Sequence, residues 1–532
     1  WSGDGNFGIG MYSEDMATAP SFWEYRYNEV PFMNNIAAYL EDNVMIPIGS
    51  TKLNLIAGIR NDNTIIKGSA YGITSSISPR FNAKYTVFSP KGRKNKTIRE
   101  LSFRASWGLA VKQPSFSVLF PEPRYRDILS FTPTSDSQGR YYPAYFISPR
   151  TTEYNPDLRW QKNRQSEIGM EIDVKGYHIS LAGFYTKTLD AYSINTAYSP
   201  FSYNYTSVQT LAQNCTIPVE NRNFEVDRMT GQVTVHDKTG VQASEVIPFV
   251  TKKGLNDHYF ATNDSSPITR YGIEWIVDFK KIESINTSVR LDGTYYGYRQ
   301  LDTDIEAYAP YNQNGADGEP FKYIGFYYGG KDHSNGTEAK ALKTNVTVTT
   351  HIPRVRMIIS LKLQASFLKY SRYLSEKADG SARSHVVSDR SNILSTTGAS
   401  VYDGNSFAVL YPEYYTTADD PYTRRNYLED LMWAKENDQK MFNDLSMLAS
   451  TTSYVYQFGK DYISPFFSAN ISVTKEIGDM ASVSFYANNF FNNLAQVRSS
   501  KTGDYTSVGG GAFTNGRYIP GFFYGLSLRL KF

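Results

Sequence analysis

Apolar and polar side chains alternate along the last segment of the chain, residues 522–532. One parity is apolar up to Phe532, and Phe523 is the one apolar residue on the other parity. The polar parity consists of Gly525, Ser527, Arg529 and Lys531. Successive side chains of a β-strand point to opposite faces, so this pattern predicts a strand with one wholly apolar face.

The same alternation recurs upstream and predicts thirteen strands, each of roughly ten or more residues, which is the length of a tilted membrane crossing. In one of them Ile359, Leu361 and Leu363 form an apolar face opposite Ser360 and Lys362. The predicted strands span about 34–46, 52–62, 75–88, 98–109, 164–175, 177–190, 267–280, 284–300, 339–351, 354–371, 461–475, 481–491 and 517–532.

Short and long connections alternate between these strands. The short turns lie at 47–51, 89–97, 176, 281–283, 352–353 and 476–480. The long loops lie at about 63–74, 110–163, 191–266, 301–338, 372–460 and 492–516. Tight periplasmic turns and long extracellular loops are typical of an outer-membrane barrel. The pattern therefore predicts an all-β fold, an antiparallel transmembrane β-barrel, whose last strand descends to a periplasmic C-terminus.

Composition agrees with this prediction. Aromatic residues make up 15% of the chain, with 42 Tyr and 31 Phe, and charged residues make up 20%. The mean hydropathy is −0.44, and no apolar run has the roughly 18 residues of a membrane helix. A helical membrane protein is thereby excluded. A secreted β-sandwich has a similar composition, but the strand lengths and the loop pattern favour the barrel.

Charge and cysteine content exclude further classes. The formal net charge is only +3, so no nucleic-acid partner is expected. The single cysteine, Cys215, excludes an internal disulfide and a CxxC metal site.

The domain prediction follows from the strand count. Residues 1–33 are expected to be the end of an extracellular loop, and residues 34–532 to form wall strands with long loops. A sheet that spans a membrane must close, because unpaired backbone groups cannot face lipid. We therefore expect the remaining strands to precede Trp1 or to come from another chain.

Several segments resemble motifs of the TonB-dependent outer-membrane transporters, in the order in which that family has them. They are 35–42 (Asn-Ile-Ala-Ala-Tyr-Leu-Glu-Asp), 55–62 with Gly-Ile-Arg-Asn-Asp, 78–85 beginning Ser-Pro-Arg, 104–115, 155–169 beginning Asn-Pro-Asp-Leu, and 487–492 (Ala-Asn-Asn-Phe-Phe-Asn). The resemblance covers nearly all of the chain except the largest loops. The loops and the segment 155–160 resemble Bacteroidota members, including SusC-like glycan importers.

The resemblance implies a 22-stranded barrel, a plug domain and a periplasmic TonB box. This chain would supply strands 10–22, with the plug and the TonB box absent from it. The implied function is import of a large or scarce nutrient (a glycan, a peptide or a metal chelate) across the outer membrane of a Gram-negative bacterium with TonB-derived energy. The implied partners are the TonB complex, membrane lipid and a SusD-like surface lipoprotein. A passive porin and a surface binding or adhesion barrel are the alternatives.

Aromatic residues in the predicted loops are the candidate substrate contacts. One loop contains Tyr141, Tyr142, Tyr145 and Phe146, and the next contains Tyr198, Phe201, Tyr203 and Tyr205. Aromatic rings can stack on sugar rings and on other planar ligands. The alternative is that these rings pack the loops themselves or belong to the outer aromatic girdle.

Charged residues give two further candidate sites. Asp302 and Asp304 begin an acidic loop, 301–320, which could hold a structural Ca²⁺; the alternative is a solvated acidic loop. Arg104, Arg290 and Asp292 are expected to point into the lumen and to contact the plug, and the alternative is pairing within the wall.

We predict no enzymatic activity and no catalytic residue. The six His residues form no HExxH motif and no consistent metal spacing, and the chain has no GxSxG elbow.

Overall fold

The computed structural model of the protein describes residues 32–66, 71–90, 96–120, 127–133, 143–148, 155–310, 313–403, 407–452, 458–503, 506–507, 511–512 and 521–530. Most of these residues belong to antiparallel strands. None of the described helices is long and apolar enough to cross a membrane.

Thirteen long strands form one antiparallel sheet in which every strand pairs with the next long strand along the chain. We call these strands the wall. They are β1 (Met33–Ile48), β2 (Thr51–Ile66), β3 (Gly72–Phe88), β4 (Ile98–Lys112), β7 (Gln161–Val174), β8 (Tyr177–Leu189), β14 (Ile268–Asp278), β15 (Thr287–Leu301), β18 (Gly336–Ile352), β19 (Met357–Leu374), β26 (Phe466–Ile477), β27 (Ala481–Asn492) and β30 (Phe523–Leu530).

Shorter elements occupy the long connections. The strands are β5 (Asp127–Phe131), β6 (Ala144–Ile147), β9 (Ala191–Tyr205), β10 (Arg222–Val226), β11 (Val233–Asp237), β12 (Glu245–Ile247), β13 (Val250–Asp264), β16 (Ile305–Tyr308), β17 (Tyr323–Tyr328), β20 (Ser384–Val387), β21 (Phe407–Leu410), β22 (Tyr414–Thr417), β23 (Asp420–Asn426), β24 (Ser450–Thr452), β25 (Asp461–Ile463), β28 (Thr506–Ser507) and β29 (Gly511–Ala512). The helices are α1 (Phe116–Leu119), α2 (Val208–Asn214), α3 (Tyr427–Asn437) and α4 (Gln439–Ser446), with short 3₁₀ turns at Val219–Asn221, Glu283–Ile285, Pro353–Val355, Val401–Asp403 and Leu494–Gln496.

The predicted number and order of the wall strands are confirmed, but one predicted strand is divided and the intervals predicted as long loops contain strands and helices. The strand predicted at 461–475 is divided at Ser464–Pro465 into β25 and β26, because proline cannot donate a hydrogen bond to the ladder. The interval 191–266, predicted as a loop, contains β9 and β13, which pair along their whole length. Lys531 and Phe532 lie outside the described residues.

The predicted alternation of connections is also present in the structure. Six tight turns join consecutive wall strands at one edge of the sheet, and the longer connections leave from the opposite edge. In the turn between β7 and β8, Lys175 and Gly176 have φ values of 52° and 88°. Two successive left-handed residues are what a two-residue hairpin turn needs to match the twist of its strands.

The wall has one apolar face and one polar face. The exposed side chains of the apolar face include Leu40, Ile168 and Leu526, and Leu526 is 74% exposed. The polar face carries paired charges such as Lys84 with Glu171. Exposed large apolar side chains on eleven of the thirteen wall strands form a surface far larger than the patches that water-soluble monomers expose, and this surface fits contact with lipid.

Large aromatic rings on β14 lie across glycines of β15. The Trp275 ring covers Gly293, and the Tyr271 ring covers Gly297, so a Cβ atom at either glycine would clash with the ring. Because these positions are directly opposite in register, each glycine leaves the space that allows its partner ring to lie flat on the sheet.

The buried hydrophobic clusters lie in the long connections. One of them joins α3 and α4 to β17, β21 and β22 through Tyr415, Tyr427 and Leu431, each of which is fully buried. A second surrounds Leu211 and the strands β10–β12. The loops are therefore folded modules that can hold a binding site in place.

Candidate functional site

A cleft of about 230 Å³ lies among the long connections, between the paired strands β9 and β13 and the segment around β16 and β17. Its lining combines aromatic and aliphatic side chains with polar groups. The lining residues are Ile128, Tyr198, Phe201, Tyr203, Lys253, Gly254, Leu255, Ala309, Pro310, Gln313, Asn314, Pro320 and Phe321.

Three aromatic rings stack along this cleft. The Phe146 ring lies 5.7 Å from that of Phe201 at an interplanar angle of 19°, and 5.4 Å from that of Tyr203 at 20°. Phe201 and Tyr203 are two residues apart on β9, so strand geometry puts both on one face. The arrangement offers nearly parallel aromatic surfaces, on which a planar or ring-shaped ligand can stack.

Gly254 determines where the Phe201 ring lies. Gly254 is directly opposite Phe201 in the β9–β13 ladder, and a Cβ atom at Gly254 would lie 2.6 Å from the ring. Only glycine leaves the space that the ring occupies here, so any side chain at this position must move Phe201.

Polar groups at the cleft are held by neighbouring elements. The Lys253 ammonium lies 2.8 Å from the Asp419 carboxylate, which connects β13 to the turn between β22 and β23. Burial raises the pKa of Tyr198 to about 12, so its phenol stays neutral and can exchange hydrogen bonds with a ligand. The cleft therefore combines stacking surfaces with polar groups that can bind a ligand.

The structure brings together only part of the predicted aromatic set. Tyr203 lines the cleft, whereas Tyr145 lies on the opposite face of β6 from Phe146, because alternate residues of a strand point to opposite sides. Tyr141 and Tyr142 lie outside the described residues. Phe146, Tyr198 and Phe201 belong to the same predicted aromatic clusters: Tyr198 and Phe201 line the cleft, and Phe146 stacks on Phe201.

The predicted acidic pair meets a third carboxylate from another loop. Oxygen atoms of Asp264, Asp302 and Asp304 lie within 4.8 Å of one another. The backbone N–H of Ser265 donates to Asp304 at 2.7 Å and that of Ser266 donates to Asp264 at 2.8 Å. Carboxylates are Ca²⁺ ligands, so the group can hold a divalent cation, and Ca²⁺ binding at Asp302 and Asp304 stays a prediction.

Crowding of like charges disturbs the acid–base properties of this group. Asp264 is 5% exposed, and burial together with Asp302 and Asp304 raises its pKa from 3.8 to about 7. Burial also raises the pKa of Glu306 to about 7. The guanidinium of Arg383 is buried nearby, and burial lowers its pKa to about 10 although Asp302 and Glu306 favour its charged form. The cluster thus carries an excess of carboxylates that a bound cation would offset.

The three residues predicted to face the lumen share the polar face of the wall. The Arg104 guanidinium contacts Glu167 at 2.9 Å and Glu171 at 3.0 Å. Arg290 pairs with Asp278 through two hydrogen bonds of 2.6 and 2.9 Å.

Asp292, the third of these residues, accepts a 2.7 Å hydrogen bond from the Asn345 amide. Each of the three therefore has a partner within the wall, and contact with a plug stays a prediction.

One family model and one solved structure are similar to the chain. The family model described as TonB dependent receptor-like, beta-barrel matches residues 3–490. The outer membrane transporter YddB from Escherichia coli is a solved structure to which the chain is similar, at 9% identity over 94% of this chain and 76% of that one. The TM-score of that pair is 0.15, and no curated protein matches the sequence.

Proposed function

The chain belongs to the TonB dependent receptor-like β-barrel family, and from that premise we propose that it imports a large or scarce nutrient with energy from TonB. The family is one of outer-membrane transport receptors. The nutrient classes to which the proposal extends are glycans, peptides and metal chelates.

The observation that carries the proposal is the aromatic cleft among the loops. Phe146, Phe201 and Tyr203 present stacked rings, and Phe201 and Tyr203 line the cleft beside Lys253. A receptor must capture a dilute ligand before it moves it, and a preformed cleft reduces the entropy cost of that capture.

We propose that the edge with the long connections is extracellular and that the edge with the tight turns is periplasmic. This assignment directs β30 towards a periplasmic C-terminus. It is supported by the length difference between the two sets of connections, which outer-membrane barrels share.

The edges of the wall support a larger barrel. Among the described residues β1 pairs only with β2, and β30 pairs only with β27. Unpaired backbone groups cannot face lipid, so we propose that further strands pair with both edges. A plug and a TonB box would then couple this wall to the TonB complex.

A SusD-like surface lipoprotein is the partner that we propose for the loop modules. Such a partner would cover the cleft from the extracellular side and hold a large ligand against its rings. Co-purification of a lipoprotein with the tagged protein from detergent-solubilised outer membranes tests this part of the proposal.

An uptake measurement tests the proposed function. Cells that lack the protein are complemented with the intact protein and grown on single glycans, peptides or metal chelates, with and without a protonophore. We expect one ligand class whose uptake needs the protein and stops when the protonophore removes the energy source. Uptake that persists with the protonophore would indicate a porin, and surface binding without uptake would indicate an adhesion protein.

A further inference from the structure

Three lysines lie on the polar face of the two neighbouring wall strands β18 and β19. Lys343 is directly opposite Thr294 of β15 and shares the face of Arg290. Lys369 and Lys362 are opposite β18 residues that lie two and four positions from Lys343, so they share this face as well. We call Lys369, Lys343 and Lys362 the lysine column.

The column runs along the direction of transport. Lys369 and Lys343 are diagonal neighbours across the ladder, which puts their Cβ atoms about 7 Å apart. Lys362 lies further towards the tight turn at Pro353–Val355, so the column extends over about 20 Å of strand. Its Lys369 end lies towards the edge of the sheet from which the long connections leave.

The column differs from Arg104 and Arg290 of the polar face because its charges form no close ion pair. No described carboxylate lies within 4.0 Å of the three ammonium groups, although Asp461 of β25 lies diagonally from Lys369 on the same face. The polar face of β18 and β19 has no Asp or Glu at all. Arg104 and Arg290, in contrast, are paired with carboxylates on neighbouring strands.

A hydroxyl group with no partner lies within the column. Ser366 is directly opposite Lys343 in the ladder, and it is 3% exposed. Its Oγ atom has no hydrogen-bond partner among the described residues. A buried hydroxyl group normally has a partner, so this one indicates that a polar ligand group belongs beside Lys343.

We propose that the lysine column binds anionic groups of the transported cargo, namely carboxylate, sulfate or phosphate groups on a chain that carries more than one of them. This inference rests on the proposed import function. Unpaired cations on a lumen wall concentrate anions and reduce their energy there, as basic residues do in anion pores. Ser366 adds a hydroxyl donor to the charge of Lys343 and Lys369.

Binding of a sulfated and an unsulfated dextran of the same length to the intact purified protein tests the column. We expect the sulfated probe to bind more tightly, and added salt to weaken it. Replacing all three residues, Lys343→Gln, Lys362→Gln and Lys369→Gln, is expected to weaken the binding about tenfold, with each exposed charge contributing about two- to threefold. Each single variant is expected to show its own share of the loss, and heat-modifiable electrophoretic mobility checks that every variant is folded.

The matched control is Lys340→Gln. Lys340 lies on β18 three residues before Lys343. Its odd-numbered neighbours face the lumen, so Lys340 lies on the opposite face, where it pairs with Glu338 at 2.9 Å. We expect this variant to bind the sulfated probe like the wild-type protein.

Several results would overturn the inference. The triple variant could bind the sulfated probe as tightly as the wild type. The Lys340→Gln variant could lose as much affinity as the triple variant. The wild-type protein could also bind both probes equally. The wild-type protein could also fail to bind the probe while its column lysines resist an amine-reactive reagent. That combination would indicate that an acidic protein segment, and not cargo, covers the column. The failure of the import proposal is separate, because uptake by cells measures it and probe binding does not.

Discussion

The ring of Phe201 shows how single residues build the cleft. It lies across Gly254, stacks on Phe146, and shares its face of β9 with Tyr203. Each neighbour limits the positions that the ring can adopt, so the cleft is formed before a ligand arrives. A preorganised aromatic surface binds with little loss of side-chain entropy.

Removal of one stacked ring is expected to weaken ligand binding. Phe201→Ala and Tyr203→Ala should each reduce affinity about three- to tenfold, because an aromatic pair contributes about 0.5–1.5 kcal/mol beyond its buried area. Calorimetry with the ligand that the uptake experiment identifies measures this. The control is Tyr422→Ala, which removes an exposed ring that does not line the cleft. Unchanged affinity in both cleft variants would exclude the stack as a contact surface.

The acidic cluster is expected to make stability depend on pH. The pKa of Asp264 is about 7 in the folded protein and near 3.8 when unfolded, so the folded protein binds more protons between these values. Its contribution to stability is therefore complete below about pH 4 and is lost as the pH rises through 7.

Calcium should oppose this loss. At pH 8 we expect Ca²⁺ at a hundredfold excess over its dissociation constant to stabilise the protein by about 2.7 kcal/mol relative to EDTA. Fluorescence-detected unfolding at pH 5 and pH 8 measures both effects. In Asp264→Asn the pH dependence and the calcium response should both be smaller; a full calcium response in this variant would place the ion elsewhere.

Sequence reasoning found some of these residues and missed others for a physical reason. Asp302 and Asp304 are two residues apart in the chain, so their clustering is visible in the sequence. Asp264 comes from the end of β13, and only the pairing of long loops brings it to them. Phe146 and Gly254 likewise meet Phe201 through tertiary contacts that a single sequence does not encode locally.

At the scale of elements, the β14–β15 pair depends on its small residues. Gly293 lies under the Trp275 ring, and the backbone of β18 is close on the other side. There is no room for a side chain at this position unless the ring or a strand moves.

Gly293→Val is therefore expected to destabilise the wall by about 1–3 kcal/mol through overpacking. The midpoint of heat-modifiable mobility, or of urea unfolding, measures the change. Gly183→Ala on β8 is the matched control, because the nearest atoms lie 3.9 Å from its Cβ position. Equal stability of Gly293→Val and the control would show that the ring is free to move away.

The wall strands were predictable and the loop elements were not, and local pattern explains both. Apolar and polar residues alternate along a wall strand because one face contacts lipid and the other contacts the polar lumen. β9 contains Pro200, Asn195 and several serines, which favour turns, and its pairing with β13 overrides that preference.

The helix α3 did give a usable signal in the sequence. Tyr427, Leu431 and Ala434 recur at helical spacing and are buried, and Asn426 caps the first turn by accepting from the N–H of Glu429. That pattern predicts a helix within the interval 372–460, which was predicted as a loop.

At the scale of the molecule, a thirteen-stranded wall carries folded modules along one edge and tight turns along the other. The outer face is apolar, the inner face carries ion pairs and the lysine column, and the modules hold the aromatic cleft. This division assigns capture to the loops and passage to the wall. The account depends on the two edges lying on opposite sides of the outer membrane.

The accessibility of single cysteines in intact cells tests that arrangement most directly. Cys215 is the chain's single cysteine and is buried, so Cys215→Ala gives a clean background. Met229 is 92% exposed in the β10–β11 connection, and Asp479 is exposed in the tight turn between β26 and β27.

With a membrane-impermeant maleimide, we expect Met229→Cys to react in intact cells and Asp479→Cys to react only after the outer membrane is permeabilised. Labelling of Asp479→Cys in intact cells while Met229→Cys stays protected, or equal labelling of both, would contradict the account.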